Sequence, residues 1–489
     1  MEGKTTAKQV FLFSLINYLG TAIGVGSALL IYPLDYAFSG IIKQVDSIAQ
    51  LLFPIMVLGA SHALIRFYPR LEQKERKQLF NYSMLSIAVI SLGVFLAITL
   101  FVAFSNYDRP GLLYLAFPIA VSLAFVELFK KQSQDLQRIA VPTLYEKVIP
   151  KFVLPAAFLL FINQVSGFYP SLMLYAAGYV VIFILTAVYL FRRFRPGFNY
   201  KFKTLFGQIS KKDYFQYSLY SFTGSIGSLL AFRIDGILIP ELISPEANGI
   251  FGNAVTIASV LQIPAVGMFA LYAPIISDYL KSESFAELQI KYREVAKLLF
   301  AIGGTLCVCL LLGLDNLFRL MPTYDDLKAT IPLIQILSIS VLINMATGFN
   351  GEIITYSKYY KFNLVTILIL IALNVSFMFY VIYMTDWGLI GIAFASFLST
   401  TLFNIIKLLF IYKKFGLLPF DKGFAILVFV FLVSGAAIYL LPDTGNPLID
   451  LVYKVGLSLV VNVTAIYKLK LVYQVNTWVD KALSLLKRK

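Results

Sequence analysis

Long apolar runs recur along this chain of 489 residues, and they constrain its fold more than any other feature. Each run approaches the ~20 residues that an α-helix needs to cross the hydrocarbon core of a bilayer. Hydrophobic residues make up 59% of the chain and charged residues only 14%, whereas soluble proteins carry roughly a quarter charged residues. The mean hydropathy is +0.79. The sequence therefore predicts an all-α integral membrane protein.

The apolar runs predict fourteen membrane-spanning helices. They cover residues 10–31, 46–65, 79–104, 111–130, 143–163, 170–191, 214–239, 248–277, 296–313, 329–350, 362–384, 387–411, 423–441 and 449–467. Several of these runs contain proline, which membrane helices tolerate because neighbouring helices or water satisfy the carbonyl groups that proline leaves free.

The basic residues predict the orientation of these spans. Most of the 41 lysines and arginines fall in loops on the side of the N-terminus, and the loops on the other side carry only Lys43, Arg109, Arg319 and Lys328. Such a bias follows the positive-inside rule, so both termini are predicted to be cytoplasmic. The net charge of +15 is thereby explained by topology. Nucleic acid is not expected as a partner, and the lipid bilayer is.

Similar segments in two parts of the chain predict an internal repeat. FSLINYLG at 13–20 resembles YSLYSFTG at 217–224, and YLFRRF at 189–194 resembles LLFIYKKF at 408–415. Because six spans is an even number, two six-helix halves are parallel repeats related by an axis along the membrane normal. We predict an N-terminal lobe at 1–200, a C-terminal lobe at 201–421, an additional helix pair at 422–469 and an amphipathic cytoplasmic tail at 470–489. Two such lobes, with a cleft between them, are typical of an alternating-access transporter.

The chain lacks features expected of an extracellular catalytic domain, a nucleotide hydrolase or a membrane-embedded transferase. The loops predicted on the outer face are short, the chain has no phosphate-binding Walker loop, and it contains a single histidine, His62. Cys307 and Cys309 lie two residues apart in one span and are interpreted as packing residues rather than a disulfide or metal site. No catalytic residue, metal site or cofactor is predicted.

Two charged residues lie inside an otherwise apolar stretch. Arg233 and Asp235 occur in AFRIDGILIPELI at 231–243, where each charge costs roughly 2.5–3.5 kcal/mol at the centre of a span. Residues two apart on a helix point about 200° away from each other, so these two do not neutralise one another. Each needs a partner on another helix or a water-filled cavity. A structural ion pair and a cavity-facing role for Arg233 both remain open, and Asp235 is interpreted as a structural charge or an ion-coupling residue.

Other charged residues lie close to the predicted cytoplasmic ends of spans. Arginine and lysine in a cavity suit an anionic group such as a phosphate, because guanidinium binds phosphate through two hydrogen bonds. The basic candidates for substrate binding are, besides Arg233, Lys151, Arg66, Lys147 and Lys358. The acidic candidates for ion coupling or a structural charge are, besides Asp235, Glu127, Glu146 and Glu352. Side chains so near the interface also reach water by snorkelling, which is the alternative interpretation.

Two longer stretches resemble a known family. RIDGILIPELISPEANGIFGNA at 233–254 resembles the seventh-helix signature of polysaccharide transporters in the multidrug/oligosaccharidyl-lipid/polysaccharide (MOP) exporter superfamily. NVSFMFYVIYMTDWGLIGIAFASFLST at 374–400 resembles their eleventh and twelfth helices, whose glycines and alanines allow helices to approach closely in lipid. The related lipid II flippases carry an arginine and an aspartate in the first span, whereas residues 10–31 hold no charge here.

This resemblance implies a flippase, not an enzyme, with V-shaped lobes like those of the multidrug exporters. It implies transport of an undecaprenyl-pyrophosphate-linked oligosaccharide to the outer leaflet of the bacterial cytoplasmic membrane, as in O-antigen or capsule export. Coupling to H⁺ or Na⁺ stays open, and glycan polymerases or glycosyltransferases are candidate partners. Two alternatives are an ion-coupled multidrug exporter of the same fold and a membrane-embedded glycan-modifying enzyme.

Overall fold

The computed structural model describes residues 20–136 and 138–486, and α-helices dominate this part of the chain. The first half contains α1 (Gly20–Leu34), α2 (Tyr36–Val57), α3 (Ala60–Phe67), α4 (Gln73–Phe104), α5 (Pro110–Asp135), α6 (Ala140–Ile162), α7 (Phe168–Phe191), α8 (Phe202–Gln208), α9 (Lys211–Arg233), α10 (Asp235–Leu242) and α11 (Pro245–Ala258). The second half contains α12 (Ile263–Lys281), α13 (Phe285–Arg319), α14 (Tyr324–Leu327), α15 (Ile331–Ala346), α16 (Asn350–Tyr356), α17 (Tyr360–Met384), α18 (Gly388–Phe415), α19 (Lys422–Tyr439), α20 (Pro447–Lys468) and α21 (Tyr473–Leu486).

The prediction of an all-α membrane protein is confirmed. Within the described residues, ten helical segments are long and apolar enough to cross a bilayer. The predicted first span, 10–31, lies partly outside the described residues. The seventh predicted span is divided at Ile234 between α9 and α10, and the eighth is divided by a 3₁₀ turn over Ser259–Gln262 between α11 and α12.

The second predicted span is wrong in its boundaries, and the error affects the site. The prediction was 46–65, but α2 begins ten residues earlier, at Tyr36, because the Asp35 side chain caps it by accepting a 2.8 Å hydrogen bond from the amide of Phe38. Lys43, predicted in an outer loop, is therefore inside a helix. Its polar group is satisfied within the protein, since Lys43 Nζ donates to the carbonyl of Gly249 at 3.3 Å.

The break between α2 and α3 depends on one glycine. Gly59 has φ +74°, in the left-handed region that favours glycine, and the preceding Leu58 also has a positive φ of 44°. A β-carbon at Gly59 would lie 2.0 Å from the carbonyl oxygen of Ser218 on α9. Both the backbone conformation and the close approach of α9 therefore require glycine at this position.

The chain forms two compact units, one that runs through Gly252 and one that starts at Asn253. In the first unit α2 packs against α5, α9 and α10, and α7 packs against α5 and α6. Small residues allow these contacts: a β-carbon at Gly236 of α10 would lie 2.3 Å from the hydroxyl oxygen of Ser47 on α2. Seven of the nine predicted site residues lie in this unit, on α3, α5, α6, α9 and α10.

In the second unit α13 packs against α15 and α20, and α17 packs against α18. A core around Tyr292 and Phe349 joins these helices, with ring centroids 5.0 Å apart. The predicted extra helix pair corresponds to α19 and α20, which both pack on α13. Within the predicted tail, α21 packs Val475 against this unit and leaves Trp478 and Leu485 exposed, as an interfacial helix requires.

Candidate functional site

Asp46 lies at the centre of one group of polar and charged side chains in the first unit. It lies in the middle of α2, and its Oδ1 accepts hydrogen bonds from the hydroxyls of Tyr175 and Tyr179, each at 3.1 Å. The two tyrosines are four residues apart on α7, so they share one helix face. Gln50 Nε2, one turn further along α2, donates to Asp46 Oδ2 at 2.8 Å. The carboxylate is thus held in a fixed position by α2 and α7.

Arg233 reaches the same carboxylate from α9. Its Nη1 lies 3.5 Å from Asp46 Oδ2, and the side chain of Arg233 is 41% exposed while that of Asp46 is 16% exposed. Arg233 is also the last residue of α9, where the negative end of the helix dipole favours a cation. Asp46 contacts the guanidinium through Nη1 alone, and much of the Arg233 side chain stays exposed.

Arg233 therefore has a partner on another helix, Asp46, as the sequence predicts. It also has the exposed surface that a cavity-facing role requires. The two interpretations left open by the sequence are both compatible with this geometry. Asp235 begins α10, just beyond the break at Ile234, and so it does not continue the helix that carries Arg233.

Further basic side chains lie near Arg233 and Asp46. Lys151 on α6 interacts electrostatically with Asp46, Lys147 and Arg233, and Lys43 interacts electrostatically with Lys151. A methyl group added at Gly24 of α1 would lie 3.3 Å from Lys151 Nζ, so the lysine extends towards a helix that has no side chain at that point. We call Lys43, Lys147, Lys151 and Arg233 the cationic cluster. The cluster brings four basic side chains together, so it is suited to an anionic group.

Glu127 and Glu146 are held in an ion-pair network of the same unit. Lys130 Nζ lies 2.7 Å from Glu146 Oε2 and 3.3 Å from Glu127 Oε2, and Lys131 Nζ lies 3.6 Å from Glu127 Oε1. These contacts link α5 to α6. Of the two roles predicted for these glutamates, the geometry favours the structural one.

Arg66 lies in another environment of the first unit. It is exposed on α3, and its guanidinium carbon lies 4.3 Å from the ring centroid of Tyr217 on α9. This cation–π contact joins α3 to α9. Arg66 therefore has a packing function that the sequence did not reveal.

The remaining predicted residues lie in the second unit. Glu352 is in the first turn of α16 and interacts electrostatically with Lys407 on α18. Lys407 is only 6% exposed, and its Nζ lies 3.9 Å from the ring centroid of Phe403. Lys358, just after α16, is exposed and lies over the ring of Tyr359 at 5.4 Å.

Asp46 and Lys407 were missed by sequence reasoning. Asp46 was placed at the end of a span, where a carboxylate reaches water, and Lys407 lies four residues before the end of a predicted span, where lysine snorkels. The capping residue Asp35, two residues after the proline of YPLD, is the signal that identifies the earlier start of α2. No comparable local signal marks Lys407.

Ten apolar helices long enough to cross a membrane, within the described residues, are characteristic of a multi-pass membrane protein. A family model described as "Polysaccharide biosynthesis protein" matches residues 6–280, which is more than half of the chain. The chain therefore belongs to this polysaccharide biosynthesis family, and the predicted family is confirmed.

Solved structures and a curated relative agree with this assignment. The lipid II flippase MurJ in an inward closed conformation is 15% identical, with a TM-score of 0.70 over 94% of this chain and 99% of that one. An inward-facing multidrug resistance MATE family transporter of the MOP superfamily is 15% identical, with a TM-score of 0.61 over 82% of this chain and 94% of that one. The uncharacterized membrane protein MJ1068 of Methanocaldococcus jannaschii is 20% identical over 83% of each chain. The structural likenesses show the fold.

Proposed function

We propose that this chain is a flippase that moves an undecaprenyl-pyrophosphate-linked oligosaccharide from the cytoplasmic to the outer leaflet by alternating access. The observation that carries the proposal is the accessible guanidinium of Arg233 within the cationic cluster. The family connects the chain to polysaccharide biosynthesis, in which lipid-linked sugars are intermediates that must cross a membrane. The solved flippase MurJ, which is named for lipid II, supports a lipid-linked substrate.

The chemistry of the cluster fits a pyrophosphate better than a sugar or a cation. A planar guanidinium binds two phosphate oxygens through parallel N–H donors, and lysines add point charges that do not require a fixed direction. The substrate phosphate would take the N–H groups of Arg233 that Asp46 leaves accessible. Asp46 then remains satisfied by the two tyrosines, so binding of the anion leaves no buried carboxylate without partners.

Transport of a lipid-linked glycan by reconstituted protein tests the proposal. Arg233→Ala should reduce transport at least tenfold because it removes the bidentate phosphate contact, and Arg233→Lys should restore it only partly. The matched control is Arg319→Ala, since Arg319 is also ion-paired, with its Nε 2.8 Å from Asp315, but lies in the second unit. Equal transport by Arg233→Ala and the wild type, with both folded, would refute the proposal.

The same vesicles separate the remaining possibilities. Export of a lipophilic cation without glycan transport would establish the multidrug alternative, and a chemically altered glycan would establish an enzyme. Collapsing the H⁺ and Na⁺ gradients separately tests which ion is coupled. We further propose the bacterial cytoplasmic membrane as the location, with both termini in the cytoplasm and with glycan polymerases or glycosyltransferases as partners. Protease accessibility of tagged termini checks the orientation.

A further inference from the structure

A second site lies in the first unit, apart from the cationic cluster. A cavity of about 560 Å³ is present where α4, α5 and α7 meet the segment 194–200. Its volume lies within the ~300–1,000 Å³ typical of small-molecule sites. The apolar lining comes from Met84, Leu85 and Ala88 on α4, Phe125 on α5 and Phe191 on α7, and Arg195 contributes a charge.

The rim of this cavity is built by hydrogen bonds from the buried residue Asn81. Its Nδ2 donates to the carbonyl of Gly197 at 2.8 Å and to that of Asn199 at 3.3 Å. Phe194 packs edge-to-face against Phe80, with centroids 5.1 Å apart. The segment that carries Arg195 is therefore held in place at the end of α7, where it forms one wall of the cavity.

The cavity opens beside a helix that faces lipid. Only 17% of the apolar window of α4 is buried inside the protein. Leu85, Val89 and Leu92 are 45%, 61% and 60% exposed. Phe198, on the rim segment, is also exposed, as aromatic residues at a membrane interface are. An apolar chain in the bilayer therefore has direct access to the cavity.

The polar end of the cavity carries positive charge without a nearby counter-ion. Among the residues that the structure describes, no carboxylate oxygen lies within 4 Å of the guanidinium groups of Arg192, Arg193 and Arg195. Arg193 is turned onto its own helix, where it donates to the carbonyl of Tyr189 at 3.1 Å and covers that ring. Arg195 alone of the three lines the cavity.

We propose that this cavity binds an anionic phospholipid of the bilayer, with an acyl chain against α4 and the phosphate at Arg195. Basic pockets between membrane helices bind anionic head groups, and each basic residue near the surface strengthens the attraction. The cavity requires an amphiphile because one end is apolar and the other is cationic. The site lies at the predicted cytoplasmic end of the unit, so the lipid comes from that leaflet. The proposal does not depend on the flippase activity.

Native mass spectrometry of the purified chain with added phosphatidylglycerol tests this proposal. Ala88→Trp fills the cavity and should weaken binding at least tenfold, whereas Val89→Trp, on the same helix but outside the cavity, should leave it unchanged. Arg195→Ala should weaken binding about fivefold by loss of one phosphate contact. Arg193→Ala removes the same charge outside the cavity and is the matched control. Phosphatidylcholine, which carries no net charge, should bind more weakly than phosphatidylglycerol to the wild type.

Three results would overturn the proposal. Equal binding by Ala88→Trp and Val89→Trp would show that the lipid lies outside the cavity. Equal weakening by Arg193→Ala and Arg195→Ala would show general surface attraction only. If Ala88→Trp weakens the binding of undecaprenyl phosphate but not that of phosphatidylglycerol, the cavity binds the transported lipid instead. Size-exclusion profiles and circular dichroism confirm that each variant is folded.

Discussion

Replacing Asp46 with alanine should destabilise the first unit much more than replacing Arg233. The reason is that two buried tyrosine hydroxyls, rather than the guanidinium, hold this carboxylate. Tyr175 and Tyr179 are 4% and 7% exposed, and each donates to Asp46 Oδ1 at 3.1 Å. Without the carboxylate both hydroxyls lose that acceptor in a region from which water is excluded.

The expected free energies follow from these contacts. Hydrogen bonds between membrane helices contribute about 0.6–1.7 kcal/mol in double-mutant cycles, and a charged acceptor places the tyrosine bonds at the upper end. Together the two hydroxyls should couple to Asp46 by about 2–3 kcal/mol. The pair with Arg233 is longer, at 3.5 Å, and its guanidinium is 41% exposed. Solvent screening limits such a pair to about 0–1 kcal/mol.

Double-mutant cycles in reversible detergent unfolding measure both coupling energies. One cycle combines Asp46→Ala with the pair Tyr175→Phe and Tyr179→Phe, and the other combines Asp46→Ala with Arg233→Ala. The coupling energy between Asp46 and the two tyrosines should exceed that between Asp46 and Arg233 by at least ~1 kcal/mol. This is roughly the difference between buried hydrogen bonds to a charged acceptor and an exposed ion pair. An arginine coupling equal to or larger than the tyrosine coupling would refute this reasoning. It would make Arg233 a structural residue instead of one available to substrate.

Further predictions concern other parts of the fold. Gly59→Ala should lower the unfolding temperature and the yield of folded protein because of its positive φ and the carbonyl it faces, whereas Gly93→Ala, with open space around it, should not. Burial opposes ionisation of Asp421, but the 2.8 Å hydrogen bond from Lys297, the hydrogen bond from the amide of Phe424 and the charges of Lys297 and Arg293 together outweigh it and lower the pKa of Asp421. The stability that this carboxylate contributes is therefore present above its unfolded pKa of ~3.9 and is lost as the pH falls through the lower folded pKa. In thermal melts from pH 6 to pH 3, Asp421→Asn should therefore lose less stability on acidification than the wild type. Replacing Lys407 with methionine and Glu352 with glutamine in one variant should maintain or raise the melting temperature, since a buried cation and its acidic neighbour are both removed, whereas Lys297→Met should lower it. A lower value for the double variant would show that these two charges are stabilising.

The positions of most helices could be predicted from the sequence, whereas the registers of some could not. Apolar runs identify a span because the cost of placing charge in lipid is local to each segment. The segment 32–45 contains Lys43, Gln44 and several small or polar residues, which resemble a loop in composition. It is helical because its polar groups find partners within the protein: Asn248 Nδ2, for example, donates to the carbonyl of Gly40 at 2.7 Å. Such partners come from distant segments and are not visible in a local window.

The sequence by itself determined the membrane class, the all-α fold and the family, because these depend on the composition and order of contiguous segments. It also showed that Arg233 needs a partner, since residues two apart on a helix diverge. Only the tertiary structure decided that the partner is Asp46, and that Tyr175 and Tyr179, 129 and 133 positions further along the chain, fix that carboxylate. The physical reason is that a hydrogen bond depends on distance and direction in space. Those quantities are set when α2, α7 and α9 pack together, through glycines and caps whose effects extend well beyond their own segments.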